Sequence, residues 1–311
     1  MGKLAFIFSG QGAQYVGMGK QVAEEYKSAD NIFNQATEAL GFDIKEMIWN
    51  GNDETLKITE NTQPTILTTS IACMQPLLEK GIKPDVVAGL SLGEYSAHVA
   101  AGTINFKDAV ALVKKRGKFM QEAVPVGVGT MAAILGLEND TVKECCKEAA
   151  GEGIVEPANF NCPGQVVVAG EIKAVEKVVE LAKEKGAKRS MVLPVSAPFH
   201  CSMLKPAGEK LSEELNKIEL NDIKIPVVTN VTAEIVTEKA DVKELFVKQV
   251  SNSVLWEDCV KKMIDSGVDT FVEIGPGKTL TGFIKKINKE VKTLNIDDLD
   301  SLNNTLRELG V

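Results

Sequence analysis

Residues 85–102, DVVAGLSLGEYSAHVAAG, hold Ser91 in the middle of a G-x-S-x-G pattern at 89–93. The apolar run at 85–90 predicts a buried strand, and residues 94–101 predict a helix. On a sharp turn from strand to helix a serine hydroxyl is exposed to substrate, and flanking glycines remove side chains that would collide there. This context predicts that Ser91 is a nucleophile; a turn merely crowded by small residues is the structural alternative.

Short β-rich apolar runs alternate with amphipathic helical patterns along the chain. Four of these runs stand before a glycine or a polar turn: LAFIF at 4–8, DVVAGLS at 85–91, PVVTN at 226–230 and TFVEIG at 270–275. Such alternation is typical of an α/β protein whose sheet is largely parallel. We therefore predict an α/β fold with a mostly parallel sheet.

One region has a different order of elements. Its patterns predict a strand at 130–137, a helix from 139, strands around 155–160 and 165–170, a helix at 171–185 and a strand at 189–195. The order β-α-β-β-α-β is typical of a ferredoxin-like unit. We therefore predict a small ferredoxin-like domain at 126–197, inserted into a catalytic domain made of 1–125 and 198–311.

Composition restricts the partners and the location. The chain has 311 residues, of which 44% are hydrophobic, and a net charge of −8. An acidic balance disfavours binding to nucleic acid or to an anionic membrane. No apolar stretch approaches the length of a membrane span, and the first one is too short for a signal peptide. The six cysteines form no C-x-x-C pair and no metal-ligand spacing with the two histidines, so we predict free thiols, no bound metal and a cytoplasmic protein.

Two further glycine-rich stretches lack the spacing of known phosphate-binding loops. In FSGQGAQYVGMG at 8–19, Tyr15 stands where a dinucleotide-binding fingerprint needs its third glycine. In GPGKT at 275–279, the required first glycine of a phosphate-binding loop falls on Val272. Neither stretch predicts a nucleotide cofactor.

A serine nucleophile needs a base, and the chain offers two histidines. His98 lies seven residues beyond Ser91, which is about 10 Å along a helix, so we expect it to be a hydrogen-bonded histidine on a helix face. His200 lies in the loop VSAPFHCSML at 195–204, where the chain leaves the predicted insertion. By elimination His200 is the candidate base, and a loop histidine with only a capping role is the alternative.

Arg116 is the most informative charge. In the helix DAVALVKKRGKFMQEAV at 108–124 it lies in the middle of the apolar stripe, whereas the neighbouring lysines lie off it. Burial of a guanidinium requires an acceptor, and its planar fork suits a substrate carboxylate. The alternative is an ordinary solvated basic run.

Eight motifs resemble those of one family, and together they span nearly the whole chain. They are GQGAQ at 10–14, NTQP at 61–64, GLSLGEYSA at 89–97, RGKFMQEAVP at 116–125, NFNCPGQVVVAG at 159–170, PFH at 198–200, KQVSNSVLW at 248–256 and EIGPGKTL at 273–280. The family is that of the malonyl-CoA:acyl carrier protein transacylases, the bacterial acyltransferases of fatty-acid synthesis. Two positions differ from its common pattern, because Leu90 stands where histidine is usual and Ser9 where proline is usual.

The resemblance implies an α/β-hydrolase-like core with a ferredoxin-like insertion. It implies three catalytic residues: Ser91 as nucleophile, His200 as base and acid, and Gln249 as the residue that orients the histidine by a hydrogen bond. It also implies an oxyanion hole formed by two main-chain N–H groups, those of Gln11 and Leu92. Three further residues are expected to bind substrate: Arg116 on the malonyl carboxylate, and Gln63 and Asn159.

The implied reaction transfers malonyl from malonyl-CoA to the phosphopantetheine thiol of acyl carrier protein through a malonyl-serine, with no metal or cofactor. The alternatives are a polyketide-pathway acyltransferase that uses malonyl or methylmalonyl, a serine esterase or thioesterase, and a carrier-binding module without catalysis. Arg116 argues against the esterase, and Ser91 with His200 argues against the non-catalytic module. A local basic patch is expected to attract the carrier protein: Lys114, Lys115, Lys118, Lys188 and Arg189.

Overall fold

The computed structural model describes residues 2–195 and 197–311; Met1 and Ser196, the latter in the loop predicted to carry the base, lie outside the described residues. The described residues form ten strands: β1 (Lys3–Phe8), β2 (Val86–Gly89), β3 (Gly129–Leu135), β4 (Val155–Cys162), β5 (Gln165–Glu171), β6 (Arg189–Val192), β7 (Val227–Val228), β8 (Ile235–Val236), β9 (Val268–Ile274) and β10 (Lys292–Ile296).

The same residues form thirteen α-helices: α1 (Lys20–Glu25), α2 (Lys27–Leu40), α3 (Asp53–Lys57), α4 (Thr59–Glu79), α5 (Gly93–Ala100), α6 (Phe106–Glu122), α7 (Asn139–Ala149), α8 (Ile172–Glu184), α9 (Lys205–Leu215), α10 (Lys239–Ser251), α11 (Trp256–Asp265), α12 (Thr279–Ile287) and α13 (Leu299–Glu308). One π-helical turn spans Glu46–Asn50, and 3-10 turns span Ala150–Glu152 and Ser202–Leu204. Among these residues no helix combines the length and the apolar character needed to cross a membrane.

The larger sheet has the strand order β10-β9-β1-β2-β7-β8, and every neighbouring pair is parallel except β7 with β8. Its central strands β1 and β2 are buried on both faces. In β1, Phe6 and Phe8 face one apolar core, while Ala5 and Ile7 face a second core packed against α11 and α12. This sheet confirms the predicted α/β class, although PVVTN contributes only two strand residues and β8 and β10 have no counterpart among the predicted strands.

The smaller sheet has the order β4-β5-β3-β6 and is antiparallel throughout. Its elements follow one another as β-α-β-β-α-β, which confirms the predicted order. Helices α7 and α8 pack on it around a core of their own, to which Val142, Val175 and Val178 belong. Main-chain hydrogen bonds from Phe160 to Val254 and from Val254 to Ala158 attach β4 to the segment before α11.

Three strand ends meet at one edge of the larger sheet. Phe8 of β1 is paired with Gly89 of β2, and Ala88 of β2 is paired with Val228 of β7. The segments that follow these strands therefore emerge side by side. In open α/β sheets this crevice, beyond the carboxyl ends of the strands, is where ligands bind.

Candidate active site

Ser91 lies on the turn between β2 and α5 with a φ of 54°. A non-glycine residue in this region carries about 1–3 kcal/mol of strain, so the turn expected between the strand and the helix is present and is strained. The flanking glycines permit close approach. A Cβ on Gly89 would lie 1.9 Å from the carbonyl carbon of Gly93, and one on Gly93 would lie 2.1 Å from the main-chain oxygen of Phe8.

Asn230 holds this turn and was not found by sequence reasoning. The main-chain N–H of Ser91 donates to its Oδ1 at 2.6 Å, and its Nδ2 donates to the main-chain oxygen of Gly89 at 2.8 Å. The available signal was a polar residue at the end of the predicted strand PVVTN. In a parallel sheet that end adjoins the end of β2.

His200 contacts the Ser91 hydroxyl, and its Nε2 lies 2.6 Å from Oγ. Its Nδ1 lies 2.8 Å from the main-chain oxygen of Gln249. A carbonyl can only accept, so Nδ1 carries the proton and Nε2 is free to accept one from Oγ. Burial, reinforced by the Arg116 charge, lowers the pKa of His200 to about 4. The imidazole is therefore neutral near pH 7, as a general base must be.

Gln249 meets the histidine through its main chain. Its side chain serves a different set of partners: Nε2 donates to the main-chain oxygen of Ser91 at 3.0 Å and to Oε2 of Glu94 at 2.8 Å, and Oε1 accepts from Arg116 at 2.9 Å. The amide thus connects the serine turn to the arginine. Those contacts require the glutamine side chain. The contact with His200 uses only the main-chain oxygen, which any residue at position 249 would supply.

Arg116 is fully buried, which confirms the burial predicted from its place in the apolar stripe. Nη1 donates to Oε1 of Gln63 at 2.8 Å, and Nη2 lies 3.3 Å from the Ser91 hydroxyl. Its guanidinium carbon lies 5.1 Å from the centre of the Tyr95 ring. Nε has no partner among the described residues. A buried guanidinium with an unused donor beside the serine can bind an anionic group.

Glu94 is a second site residue that sequence reasoning missed, although it directly follows the G-x-S-x-G pattern. It is fully buried. Its Oε2 accepts from the main-chain N–H of Asn230 at 2.9 Å and from the Gln249 amide. Burial raises the pKa of Glu94 to about 7, and the two hydrogen bonds and Arg116 limit that rise.

The two amides predicted to form the oxyanion hole lie on adjoining segments. Gln11 follows β1, and Leu92 follows Ser91 at the start of α5. The segments are in contact, because a Cβ on Gly10 would lie 2.4 Å from the main-chain oxygen of Leu90. Neither amide N–H donates to a protein acceptor within the described ranges.

Of the two remaining predicted substrate-binding residues, one contacts the active-site cluster and the other does not. Gln63 is buried in α4 and contacts Arg116, so it belongs to the cluster. Asn159 lies in β4 with a main-chain bridge to Val254, and within the described chain its side chain makes no hydrogen bond to the serine–histidine pair.

His98 differs from its prediction. It is fully buried in α5 with its ring edge against Phe246, and neither ring nitrogen has a partner in the described part of the chain. The expectation of a hydrogen-bonded histidine on a helix face is therefore wrong. Burial lowers its pKa to about 3, so the ring is accommodated as a neutral, largely apolar group. Among residues 2–195 and 197–311, no three His, Cys, Asp or Glu side chains are grouped as a metal site.

Comparison with known proteins places this geometry in a family. The model of the acyl transferase domain matches residues 5–303. The malonyl CoA-acyl carrier protein transacylase of Bacillus subtilis (strain 168) is 48% identical over 310 residues, which cover 99% of this chain and 98% of that protein. The protein of the same name from Staphylococcus aureus (strain MW2) is 47% identical over 303 residues, covering 97% and 98%.

Solved structures agree with the sequence matches. The malonyl CoA-acyl carrier protein transacylase from Clostridium perfringens superposes with a TM-score of 0.96 at 52% identity, covering 99% of this chain and 97% of that one. A malonyl-transacylase solved in complex with a type II PKS acyl-carrier protein has a TM-score of 0.96 at 42% identity, covering 98% and 99%. With the serine, histidine and arginine joined in one buried cluster on this fold, the chain belongs to the acyl transferase family and, within it, to the malonyl CoA-acyl carrier protein transacylases.

Proposed function

We propose that this enzyme transfers the malonyl group from malonyl-CoA to the phosphopantetheine thiol of acyl carrier protein through a malonyl ester of Ser91. One observation carries the proposal: the Ser91 hydroxyl lies within hydrogen-bond reach of both a neutral histidine and a buried arginine. The first partner activates the hydroxyl, and the second binds the free carboxylate of the acyl group. The names of the relatives support the same pair of substrates.

In the first half-reaction, Nε2 of His200 accepts the Ser91 proton while Oγ attacks the thioester carbon. The developing oxyanion would be held by the amides of Gln11 and Leu92, near the start of α5, where the helix dipole favours negative charge. The C–S bond then breaks, and the imidazolium returns its proton to the departing coenzyme A thiolate.

In the second half-reaction, the carrier thiol gives its proton to the same nitrogen, and its sulfur attacks the malonyl-serine ester. Collapse of the second tetrahedral intermediate returns the proton to Oγ and releases malonyl-carrier protein. Atoms and charge balance over the two steps, and this chain's own side chains move every proton.

The Arg116 site makes a carboxylated acyl group the preferred one. A guanidinium can bind a carboxylate with two parallel hydrogen bonds, an arrangement that an acetyl group cannot use. Gln63 and Gln249 hold the guanidinium beside Ser91, which would place the malonyl carboxylate on the serine side of the pocket. The rival esterase function is disfavoured because a buried cation suits neither an apolar acyl pocket nor a neutral ester.

The assignment extends to domains and location. We assign 1–125 with 198–311 to the catalytic domain and 126–197 to the insertion, because the smaller sheet has a hydrophobic core of its own. The two domains meet where β4 borders the segment before α11. We place the enzyme in the cytoplasm, because all six cysteines, each in the described part of the chain, are free thiols.

The basic patch expected to attract the carrier protein is weakened by ion pairs within the chain. Its members on α6 pair with nearby carboxylates: Lys114 with Glu60 at 3.0 Å, Lys115 with Glu214 at 2.6 Å and Lys118 with Glu122 at 3.9 Å. Exposed pairs of this kind leave little net charge to steer a partner. The contribution of Lys188 and Arg189, which are both exposed, remains part of the proposal.

A transfer assay tests the proposed function. The enzyme is incubated with malonyl-CoA and either holo carrier protein or buffer, and malonyl-carrier protein, free malonate and coenzyme A are quantified. We expect malonyl-carrier protein to form in proportion to the coenzyme A released, with little malonate. Release of malonate at the same rate with and without carrier protein would instead identify a thioesterase.

The pH dependence of acylation should follow His200. The imidazole is a base only when neutral, and its folded-state pKa is about 4, so kcat/KM should be flat from pH 5 to 7 and fall roughly tenfold per pH unit below that pKa. Acetyl-CoA is the substrate to use, because its acyl group does not titrate. Circular dichroism at each pH shows that the fold persists. A midpoint near 6.5 would contradict the burial of the ring.

A further inference from the structure

The carboxyl group of Glu94 is held on one side only. Oε2 accepts two N–H groups, those of the Asn230 main chain and the Gln249 side chain, at 2.9 and 2.8 Å. Oε1 is buried and has no partner in residues 2–195 and 197–311. A fully buried carboxylate normally has a direct cationic partner or several donors on each oxygen. Packing of α5 alone therefore does not explain why a carboxyl group occupies this position.

Gln249 connects this carboxyl group to Arg116. The amide donates through Nε2 to Oε2 of Glu94 and accepts through Oε1 from Nη2 of Arg116. An amide has a donor end and an acceptor end, and two acceptors on Nε2, the Glu94 carboxyl group and the main-chain oxygen of Ser91, fix which end faces which way. With the amide reversed, its NH₂ group would face the guanidinium, where no acceptor would remain. Glu94, the closer of these two acceptors and the one that a substitution can remove, thus helps to set the orientation in which Gln249 can hold Arg116.

The site also has an unusual balance of charge. Other titratable groups interact with Glu94 from its own and neighbouring elements: Arg116 on α6, Cys259 on α11 and Tyr95 on α5. Cys259 and Tyr95 are neutral because burial raises their pKa values, and the nearby His200 is neutral because burial lowers its pKa. One guanidinium and one carboxyl group therefore dominate the charge of this cluster.

An acyl group with a free carboxylate would bring a second anion to that single guanidinium. Two carboxylates that share one cation disfavour each other's charge, and the one with the poorer set of donors takes a proton. Glu94 is that group, because Oε1 has no donor. Because its pKa is about 7, a small additional rise suffices to protonate it near neutral pH.

We propose that Glu94 is a positioning residue that orients the Gln249 amide toward Arg116, and that it takes up a proton when a carboxylate-bearing acyl group binds to that arginine. The inference rests on the proposed function and deepens it. It assigns to Glu94 the pH dependence and part of the selectivity of malonyl loading. Glu94 itself touches no reacting atom.

The test compares kcat/KM for malonyl-CoA and acetyl-CoA between pH 6 and 9 in three proteins: the natural enzyme, Glu94→Gln and Glu94→Leu. In the natural enzyme the malonyl-to-acetyl ratio should fall as pH rises above 7, because loading then requires a proton that is scarcer. Glu94→Gln keeps an acceptor for both N–H groups and cannot titrate, so its ratio should be independent of pH. Glu94→Leu removes the acceptor and should lower the ratio about tenfold at pH 7.

Glu273→Gln is the matched control. Glu273 is also a buried carboxyl group, and burial raises its pKa to about 7 as well. It accepts from the main-chain N–H groups of Leu280 and Thr281 at the start of α12. Its variant should keep the ratio and the pH profile of the natural enzyme.

The outcomes are distinct. A ratio that still falls above pH 7 in Glu94→Gln would overturn the inference while leaving the proposed function intact, and this variant decides the matter even if Glu94→Leu fails to fold. A ratio unchanged at pH 7 in a folded Glu94→Leu would overturn the positioning role. A natural enzyme that loads no malonyl at all would overturn both the inference and the function on which it rests.

Discussion

His200→Ala is expected to lower malonyl transfer by roughly 10⁴- to 10⁶-fold, as loss of the base does in other serine enzymes. The serine hydroxyl has one neutral nitrogen within reach, at 2.6 Å. Its other close partner, Arg116 at 3.3 Å, is a donor and cannot take the proton. The rate is measured as release of coenzyme A in the presence of carrier protein.

His98→Leu is the control for this prediction. Both histidines are buried, but the ring nitrogens of His98 have no partners among the described residues, so its replacement removes no hydrogen bond. The variant should keep transfer within a few-fold of the natural rate. A His200→Ala enzyme that keeps more than about a tenth of the natural rate would show that another group activates Ser91.

Arg116→Ala is expected to lower kcat/KM for malonyl-CoA by roughly 10²- to 10³-fold and to affect acetyl-CoA far less. The loss corresponds to about 3–4 kcal/mol, which is in the range expected for removing one member of a buried charge pair, here the pair that the malonyl carboxylate would complete. Both substrates should be measured with the same preparation. Circular dichroism excludes a general loss of fold.

Two variants sharpen the test. Arg116→Lys keeps a charge without the planar fork, so it should retain only part of the malonyl preference. Arg307→Ala removes an exposed arginine in the last turn of α13 and should leave both substrates unchanged. Equal losses with malonyl-CoA and acetyl-CoA in Arg116→Ala would make the arginine structural and remove the argument for selectivity.

The sequence predicted the features that have short-range patterns. The G-x-S-x-G pentapeptide between an apolar run and a helical pattern predicts the turn at Ser91, and a 3.6-residue period predicts the burial of Arg116. Both features depend on residues within about one helix or strand of the position itself. The order of elements in 126–197 was predictable for the same reason, since each strand and helix there carries its own periodicity.

The contacts that assemble the site could not be predicted in this way. Asn230 and Ser91 are 139 positions apart, and only the pairing of β2 with β7 brings them together. His200 contacts the main-chain oxygen of Gln249, and such a contact does not depend on the type of side chain, so the sequence does not reveal it. Glu94 looks like an ordinary first-turn acidic residue of a helix, because its burial depends on α6, α10 and the end of β7.

The central claim is that malonyl passes through an ester of Ser91, and intact mass measurement tests it most directly. The enzyme is mixed with malonyl-CoA without an acceptor, and the modified residue is located by peptide analysis. We predict one malonyl group per chain, on Ser91, and none in Ser91→Ala. A malonyl group on Cys201 or Cys162 instead, or equal labelling of Ser91→Ala and the natural enzyme, would contradict the account.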